Sequence, residues 1–167
     1  MRSERINFLA SVTAAAGLVG FIGVFADWFS LAYTASGVPI VIDYYGTVDE
    51  TGAIAVAASL GALLFGCAYI LLRDAQIRRM TALLMVICSV VLLVAATLGF
   101  GRVNEAIGGP TPFLPGAEGQ APYVASVAIG LAMSFLAGVI ATVASVLLVS
   151  RREQGLEVDE EPVAASA

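Results

Sequence analysis

Few residues in this sequence could carry out chemistry, and they lie between long apolar segments. Three acids, Asp27, Asp43 and Glu105, and one basic residue, Arg102, lie in the two polar stretches that follow the first and the third apolar segments. Carboxylates close to a guanidinium could bind a cation or orient a polar substrate. The chain has no histidine and no lysine, however, and these are the commonest general base, metal ligand and Schiff-base former. We therefore expect no enzyme activity, no cofactor and no metal site.

The two cysteines add no redox or metal motif. Cys67 and Cys88 lie in separate apolar segments and form no Cys-x-x-Cys pair. Thiols in such surroundings usually serve as small apolar residues. The apolar segments themselves contain no acid and no base in their interior, whereas proton relays and coupled transporters need ionisable groups there. The sequence therefore disfavours ion-coupled transport.

Four uncharged segments must position the remaining polar residues. The chain is 59% hydrophobic and only 13% charged, whereas a soluble domain is about half apolar and a quarter charged. Each segment reaches the roughly 20 residues that cross a bilayer as a helix. We predict an all-α membrane protein, a four-transmembrane-helix bundle formed by residues 1–152. Its helices are expected at about 6–27, 51–73, 79–101 and 122–150, the last beginning near Pro122.

The arginines predict how this bundle is oriented. Seven of the eight precede the first segment, separate the second from the third, or follow the fourth: Arg2, Arg5, Arg73, Arg78, Arg79, Arg151 and Arg152. Because cytoplasmic loops carry an excess of positive charge, we expect a multi-pass cell-membrane protein with both termini in the cytoplasm. An alternative interpretation makes the first segment a signal peptide cleaved near Ala26, which would leave three spans.

The acidic residues of the chain are concentrated in its tail, and its net charge is negative. Residues 153–167 carry five of the thirteen acids and few large apolar residues, so we predict a disordered, acidic, cytoplasmic tail. The net charge is −5 and the sequence has no long basic run, which argues against nucleic acid as a partner.

Small residues recur at every fourth position on two of the predicted helices. The rows comprise Gly130, Ser134, Gly138 and Thr142 on the fourth helix, and Ala58, Ala62 and Gly66 on the second. In lipid, such faces let helix backbones approach closely. Two interpretations remain open, namely packing within the bundle and an interface with a partner helix or a second copy of the chain.

The exterior loop 28–50 carries a different pattern. Apolar and polar residues alternate around Leu31 and around Ile42, on either side of a turn at 34–37, which predicts a small extracytoplasmic β-hairpin between the first two helices. We expect an exterior cap composed of Asp27, Trp28, Tyr33, Asp43, Tyr44, Tyr45 and Arg102. Its aromatic rings suit a membrane interface, and Arg102 is expected to pair with Asp27, Asp43 or Glu105. The second exterior loop, 102–121, is rich in proline and glycine and is predicted to be irregular.

The order of these features resembles the small four-helix membrane proteins of actinobacteria, including the tryptophan-biosynthesis-associated family. The resemblance rests on Trp28 after the first helix, on the entry to the second helix at residues 49–52, on the arginine-rich turn at 73–79 and on the glycine-rich fourth helix. It implies a four-helix fold and no catalytic residues.

We therefore expect a noncatalytic integral membrane protein that acts through protein contacts, such as an accessory or assembly subunit of a larger membrane complex. Its expected partners are the lipid bilayer and either a membrane protein or a second copy of the chain. The alternative is a small oligomeric channel or transporter whose path is lined by the hydroxyls of Ser126, Ser134 and Thr142.

Overall fold

Four helices form the body of the protein. The computed structural model describes residues 2–35, 38–48, 50–108 and 124–159. The helices are α1 (Arg2–Phe25), α2 (Glu50–Leu71), α3 (Ala75–Gly108) and α4 (Ile129–Asp159). Helix α1 packs against α2 and α4, and α3 packs against α2 and α4 on the opposite side, so the four helices form a ring in chain order. The predicted helical bundle is confirmed.

All four helices are long and apolar enough to cross a membrane. Their outward surfaces are covered with large apolar side chains that the described part of the chain leaves exposed. These exposed residues include Phe8, Leu18, Ile22, Leu64, Leu84, Ile87, Leu98, Leu136, Ile140 and Leu147. A soluble monomer rarely exposes apolar patches of this extent, so the bundle has the surface of a multi-pass membrane protein.

A three-stranded antiparallel sheet lies at one end of the bundle. The strands are β1 (Asp27–Ala35), β2 (Val38–Tyr45) and β3 (Val124–Val127), in the spatial order β2-β1-β3. The β1-β2 hairpin was predicted and is confirmed. A short 3-10 helix, Gly46–Val48, leads from β2 into α2. We call this end the outer end of the bundle, and the end with the α2–α3 turn the inner end.

The prediction that the fourth helix begins near Pro122 is wrong. Pro122 lies outside the described residues, Val124–Val127 form β3, and α4 begins only at Ile129. A continuous apolar run does not distinguish a strand from a helix by periodicity. Tertiary structure decides here, because β1 offers backbone hydrogen-bonding groups along its second edge and β3 pairs with them.

This correction changes the predicted row of hydroxyls. Ser126 lies on β3, opposite Ser30 of β1, whereas Ser134 and Thr142 lie on α4. The three hydroxyls therefore do not share one helix face, contrary to the prediction for a lined path.

Helices α3 and α4 extend well beyond their predicted bounds. Helix α3 begins at Ala75 because Asp74 caps it, its Oδ1 accepting hydrogen bonds from the backbone N–H groups of Gln76 and Ile77 at 2.8 and 2.9 Å. It ends at Gly108, inside the loop predicted to be irregular. The tail 153–167 was predicted to be disordered, but α4 continues through it to Asp159. Residues 160–167 lie outside the described residues.

Candidate contact surfaces

Trp28 closes the outer end of the bundle. The register between β1 and β2 shifts between Asp27 and Phe29, so Trp28 is the extra residue of a β-bulge, a feature that redirects a side chain. The indole is 3% exposed, and its Nε1 donates a hydrogen bond to the Gly23 carbonyl at 3.2 Å. A Cβ on Gly99 would lie 2.9 Å from the indole Cζ3, so α3 has a glycine where the ring needs room.

The sequence interpretation placed this tryptophan among the interfacial aromatic residues, and the structure buries it. Trp28 packs in a core cluster with Val24, Leu92 and Leu131. Gly46 and Gly99 both leave space for its ring. These two glycines are the sequence features that accompany the burial of Trp28, but only the fold brings them to the same side chain.

One face of the sheet points away from the bundle, and we call it the outer sheet face. Val41, Asp43 and Tyr45 of β2 lie on it and are exposed, Val41 to 62% and Tyr45 to 52%. Ser30 of β1 lies opposite Asp43, and its hydroxyl donates a 2.6 Å hydrogen bond to Asp43 Oδ1. Ser126 of β3 continues the same face and is exposed. This face combines an aromatic ring, an aliphatic side chain and a fixed carboxylate.

The opposite face of the sheet packs onto the helices. Leu31 is fully buried, and Phe29 packs against the core cluster that contains Trp28. The rings of Phe29 and Tyr44 stack with centroids 4.7 Å apart. Of the predicted cap aromatics, Trp28 and Tyr44 therefore help to hold the sheet on the bundle, and Tyr45 faces outward. Tyr33 is on β1, but its side chain lies outside those that the structure describes.

The charged residues of the predicted cap have different environments. Asp27 is half-buried, and its Oδ1 makes no hydrogen bond within the described part of the chain. Asp43 is exposed and accepts the hydrogen bond from Ser30. Arg102 is exposed on α3. Its pairing with one of the exterior acids stays a prediction.

Helices α1 and α2 meet along a seam of small residues. A Cβ on Gly17 would lie 2.6 Å from the backbone nitrogen of Leu63, and one on Gly66 would lie 2.8 Å from the Cβ of Ala14. Real Cβ atoms do not approach other atoms so closely. These two positions therefore require glycine for the observed distance between the helices.

Helices α1 and α4 meet in the same way near the outer end. A Cβ on Gly23 would lie 2.9 Å from the Gly130 carbonyl oxygen, and one on Gly130 would lie 2.6 Å from the Gly23 carbonyl oxygen. The two helices thus cross with backbone against backbone. Further along α4, Gly138 faces the backbone of Leu93 in α3.

The small residues predicted to form a packing or partner interface lie inside the bundle. Gly130, Ser134, Gly138, Ala58, Ala62 and Gly66 are buried, and Thr142 is half-buried with its hydroxyl oxygen enclosed. The bundle itself thus uses these rows. A surface for a further protein has to be sought elsewhere on the molecule.

The fully buried hydroxyls of the helices bond to their own helices. Ser134 donates to the Gly130 carbonyl at 2.9 Å, and Ser89 donates to the Met85 carbonyl at 2.7 Å. Thr13, Ser59 and Ser145 follow the same rule, each bonding to a carbonyl three or four residues earlier. Because these protons are already engaged, the hydroxyls do not form a chain of donors from one end of the bundle to the other.

An apolar groove of about 420 Å³ lies between α1 and α4. Buried Ala16 and Ala137 line it, together with the exposed side chains of Val19, Leu136 and Ile140. Its lining is wholly apolar, so it can receive hydrocarbon and offers no polar group to orient a substrate.

The inner end of the bundle carries a basic surface. Arg73, Arg79 and Arg151 are exposed there, and Arg78 is half-buried. The Arg78 guanidinium carbon lies 4.4 Å from the centroid of the Tyr69 ring, a cation–π contact. A terminal nitrogen of Arg78 also donates a 3.4 Å hydrogen bond to Asn7 Oδ1. The sheet and this basic surface thus occupy opposite ends of the bundle.

The described residues contain no group of three or more histidine, cysteine, aspartate or glutamate side chains close enough to hold a metal ion. Comparison of the chain with models of known protein families gave no match, and comparison with curated proteins gave none either. The resemblance to the tryptophan-biosynthesis-associated proteins therefore stays a prediction, and any proposal about function rests on the geometry of the chain itself.

Proposed function

We propose that this protein is a noncatalytic membrane protein that acts through protein contacts at its outer sheet face, as an accessory or assembly subunit of a larger membrane complex. The observation that carries the proposal is a sheet that packs onto the bundle through Phe29 and Leu31 and still exposes Val41, Asp43 and Tyr45 on its other face.

The composition of the outer sheet face suits a protein partner. Tyrosine is enriched among the residues that dominate binding energies, and Tyr45 is 52% exposed beside the carboxylate of Asp43. Covering Val41 and Tyr45 would remove apolar surface from water, which stabilises a complex by roughly 25 cal/mol per Å². The bulge at Trp28 and the stacked pair of Phe29 and Tyr44 hold the strands in place, so little order has to be created on binding.

The rest of the molecule gives less support to the other functions. The small-residue rows pack within the bundle, and the fully buried hydroxyls bond to their own helices. The enclosed hydroxyl of Thr142 makes no hydrogen bond within the described part of the chain, but it is a single group and not a path. A channel or transporter formed by several copies would need a polar path, and the helix surfaces that face outward are apolar. We therefore rank the contact function above transport.

The proposed orientation puts the sheet outside the cell. Seven of the eight arginines belong to the inner end and its flanking segments, and positive charge accumulates on the cytoplasmic side of membrane proteins. In a variant without Cys67 and Cys88, a cysteine at Val41 should react with an impermeant maleimide on intact cells. A cysteine at Arg79 should react only after the membrane is opened. The reverse pattern would invert the proposed topology.

Site-specific photocrosslinking in native membranes tests the contact function. A photoreactive amino acid replaces Tyr45 or Val41 on the outer sheet face, and Val143 serves as the matched control, because it is 54% exposed on the membrane-facing side of α4. We expect one discrete protein adduct from both sheet positions, identified by mass spectrometry, and none from Val143.

The outcomes separate the candidate functions. A protein adduct from Val143 with none from the sheet would move the interface to the helices and contradict the proposal. If no position forms an adduct, purified protein in liposomes should be tested for solute flux. Flux would then favour the oligomeric channel over the accessory subunit.

A further inference from the structure

Arg78 is a half-buried cation with no carboxylate partner among the described residues. Its guanidinium rests on the ring of Tyr69, which is only 2% exposed and belongs to the core of the inner end. A terminal nitrogen reaches Asn7 across a long hydrogen bond of 3.4 Å. The Nε atom is buried and makes no hydrogen bond within the described part of the chain. Three helices, α1, α2 and α3, thus enclose one positive charge.

The described acid closest to Arg78 in the sequence is engaged by the backbone of α3. Asp74 lies one helical turn before Arg78, but its Oδ1 accepts the backbone N–H groups of Gln76 and Ile77 and so caps α3. Glu4 lies one turn before Asn7 on α1, and its side chain is outside those described. Glu4 is therefore the internal competitor that a test has to exclude.

The position of Arg78 is not explained by the electrostatics of its own helix. Arg78 and Arg79 lie in the first turns of α3, where the helix dipole favours anions over cations. An unpaired charge out of water is costly and is usually paired with an opposite charge. An anion bound at this end would therefore be stabilised by Arg78.

We propose that this anion is the phosphate group of an anionic phospholipid, bound at the inner end by Arg78. A guanidinium matches phosphate oxygens with two parallel hydrogen bonds. Lipid headgroups are the abundant anions at the end of a membrane-crossing helix. Ile77 and Met80, both exposed on the same part of α3, provide apolar surface for the acyl chains. The proposal does not depend on which protein contacts the outer sheet face.

Lipid binding to the purified full-length chain tests this proposal. The wild type in a neutral detergent is titrated with phosphatidylglycerol or with phosphatidylcholine, and bound lipid is counted by native mass spectrometry. We expect one phosphatidylglycerol to bind preferentially. Arg78→Gln should weaken it roughly five- to ten-fold, because it removes the guanidinium that binds the phosphate. Arg79→Gln is the matched control, since it removes the same charge from an exposed side chain on the same turn, and it should change binding less than about two-fold.

Further variants keep the result interpretable. Arg78→Lys retains the charge but not the two parallel hydrogen bonds, so it should bind the lipid more tightly than Arg78→Gln and less tightly than wild type. Circular dichroism and gel filtration will report whether either variant disturbs the fold. Equal loss in Arg78→Gln and Arg79→Gln, or equal binding of phosphatidylcholine, would overturn a specific site. So would release of the bound lipid by inorganic phosphate, which would identify free phosphate as the ligand. If Glu4→Gln lowers stability only when Arg78 is present and leaves lipid binding unchanged, Glu4 is the counter-ion and the proposal fails.

Discussion

The interior of the bundle and the sheet at its outer end are held together by opposite means. Between the helices, Gly17, Gly23 and Gly130 are positions at which even a Cβ would meet backbone atoms. In the sheet, large rings make the contacts, as in the stacked pair of Phe29 and Tyr44 at 4.7 Å. The difference follows from the surroundings. Lipid gives no hydrophobic force between helices, so close approach must supply the attraction, whereas rings at the end of the bundle gain by leaving water.

Trp28 joins these two regions, and its removal should have the largest effect. Truncation of a buried aromatic side chain costs about 3 to 5 kcal/mol, and the indole of Trp28 is 3% exposed beneath the sheet. We expect Trp28→Ala to lower the free energy of unfolding by that amount, measured by circular dichroism as dodecyl sulfate is added to mixed micelles. Phe8→Ala is the control, because Phe8 is 66% exposed and should change stability little. Equal effects would show that Trp28 does not couple the sheet to the bundle.

The crossing of α1 and α4 should be the next most sensitive feature. In Gly130→Ala the new Cβ would lie 2.6 Å from the Gly23 carbonyl oxygen, and overpacking of this kind typically costs about 1 to 3 kcal/mol. Gly101→Ala is the matched control, since Gly101 lies in helix α3 and a Cβ there meets nothing within 4 Å. In the same assay, the free energy of unfolding should be well below that of wild type for Gly130→Ala, and equal to it or higher for Gly101→Ala. A tolerated Gly130→Ala would mean that α1 and α4 can separate without loss of stability.

Within the sheet, the two adjacent tyrosines should behave differently. Tyr44 stacks on Phe29, and an aromatic pair contributes about 0.5 to 1.5 kcal/mol beyond the area that it buries. Tyr44→Ala should therefore lower the free energy of unfolding by at least that amount. Tyr45→Ala should leave stability within about 0.5 kcal/mol, because Tyr45 is on the exposed face. If protein contacts are the function, Tyr45→Ala should instead reduce crosslinking from Val41. Loss of stability in Tyr45→Ala with no change in crosslinking would contradict this division.

The sequence predicted the two regions with different success, for physical reasons. The four helices and the hairpin follow from local patterns, since apolar length and period-two alternation belong to single segments. The third strand did not follow, because Val124–Val127 is apolar in either conformation and only the pairing with β1 selects the strand. The role of Trp28 was missed for a similar reason. Gly46 and Gly99 are distant in sequence, and only the fold brings both to the indole.

The smallest effect is expected from removal of the buried hydroxyl of Ser134. Ser134 is fully buried, but its hydroxyl donates to the Gly130 carbonyl of its own helix at 2.9 Å. Ser134→Ala removes that donor and leaves no neighbouring group unsatisfied, so the free energy of unfolding should fall by no more than about 0.6 kcal/mol, the average for polar contacts in a membrane bundle. Size matters more than polarity here, because the Ser134 hydroxyl would lie 2.8 Å from a Cβ on Gly23. Ser134→Leu should therefore destabilise the bundle strongly in the same assay. A large loss from Ser134→Ala would instead show that this hydroxyl bonds between helices, and the interior would then depend on polar contacts as well as on close approach.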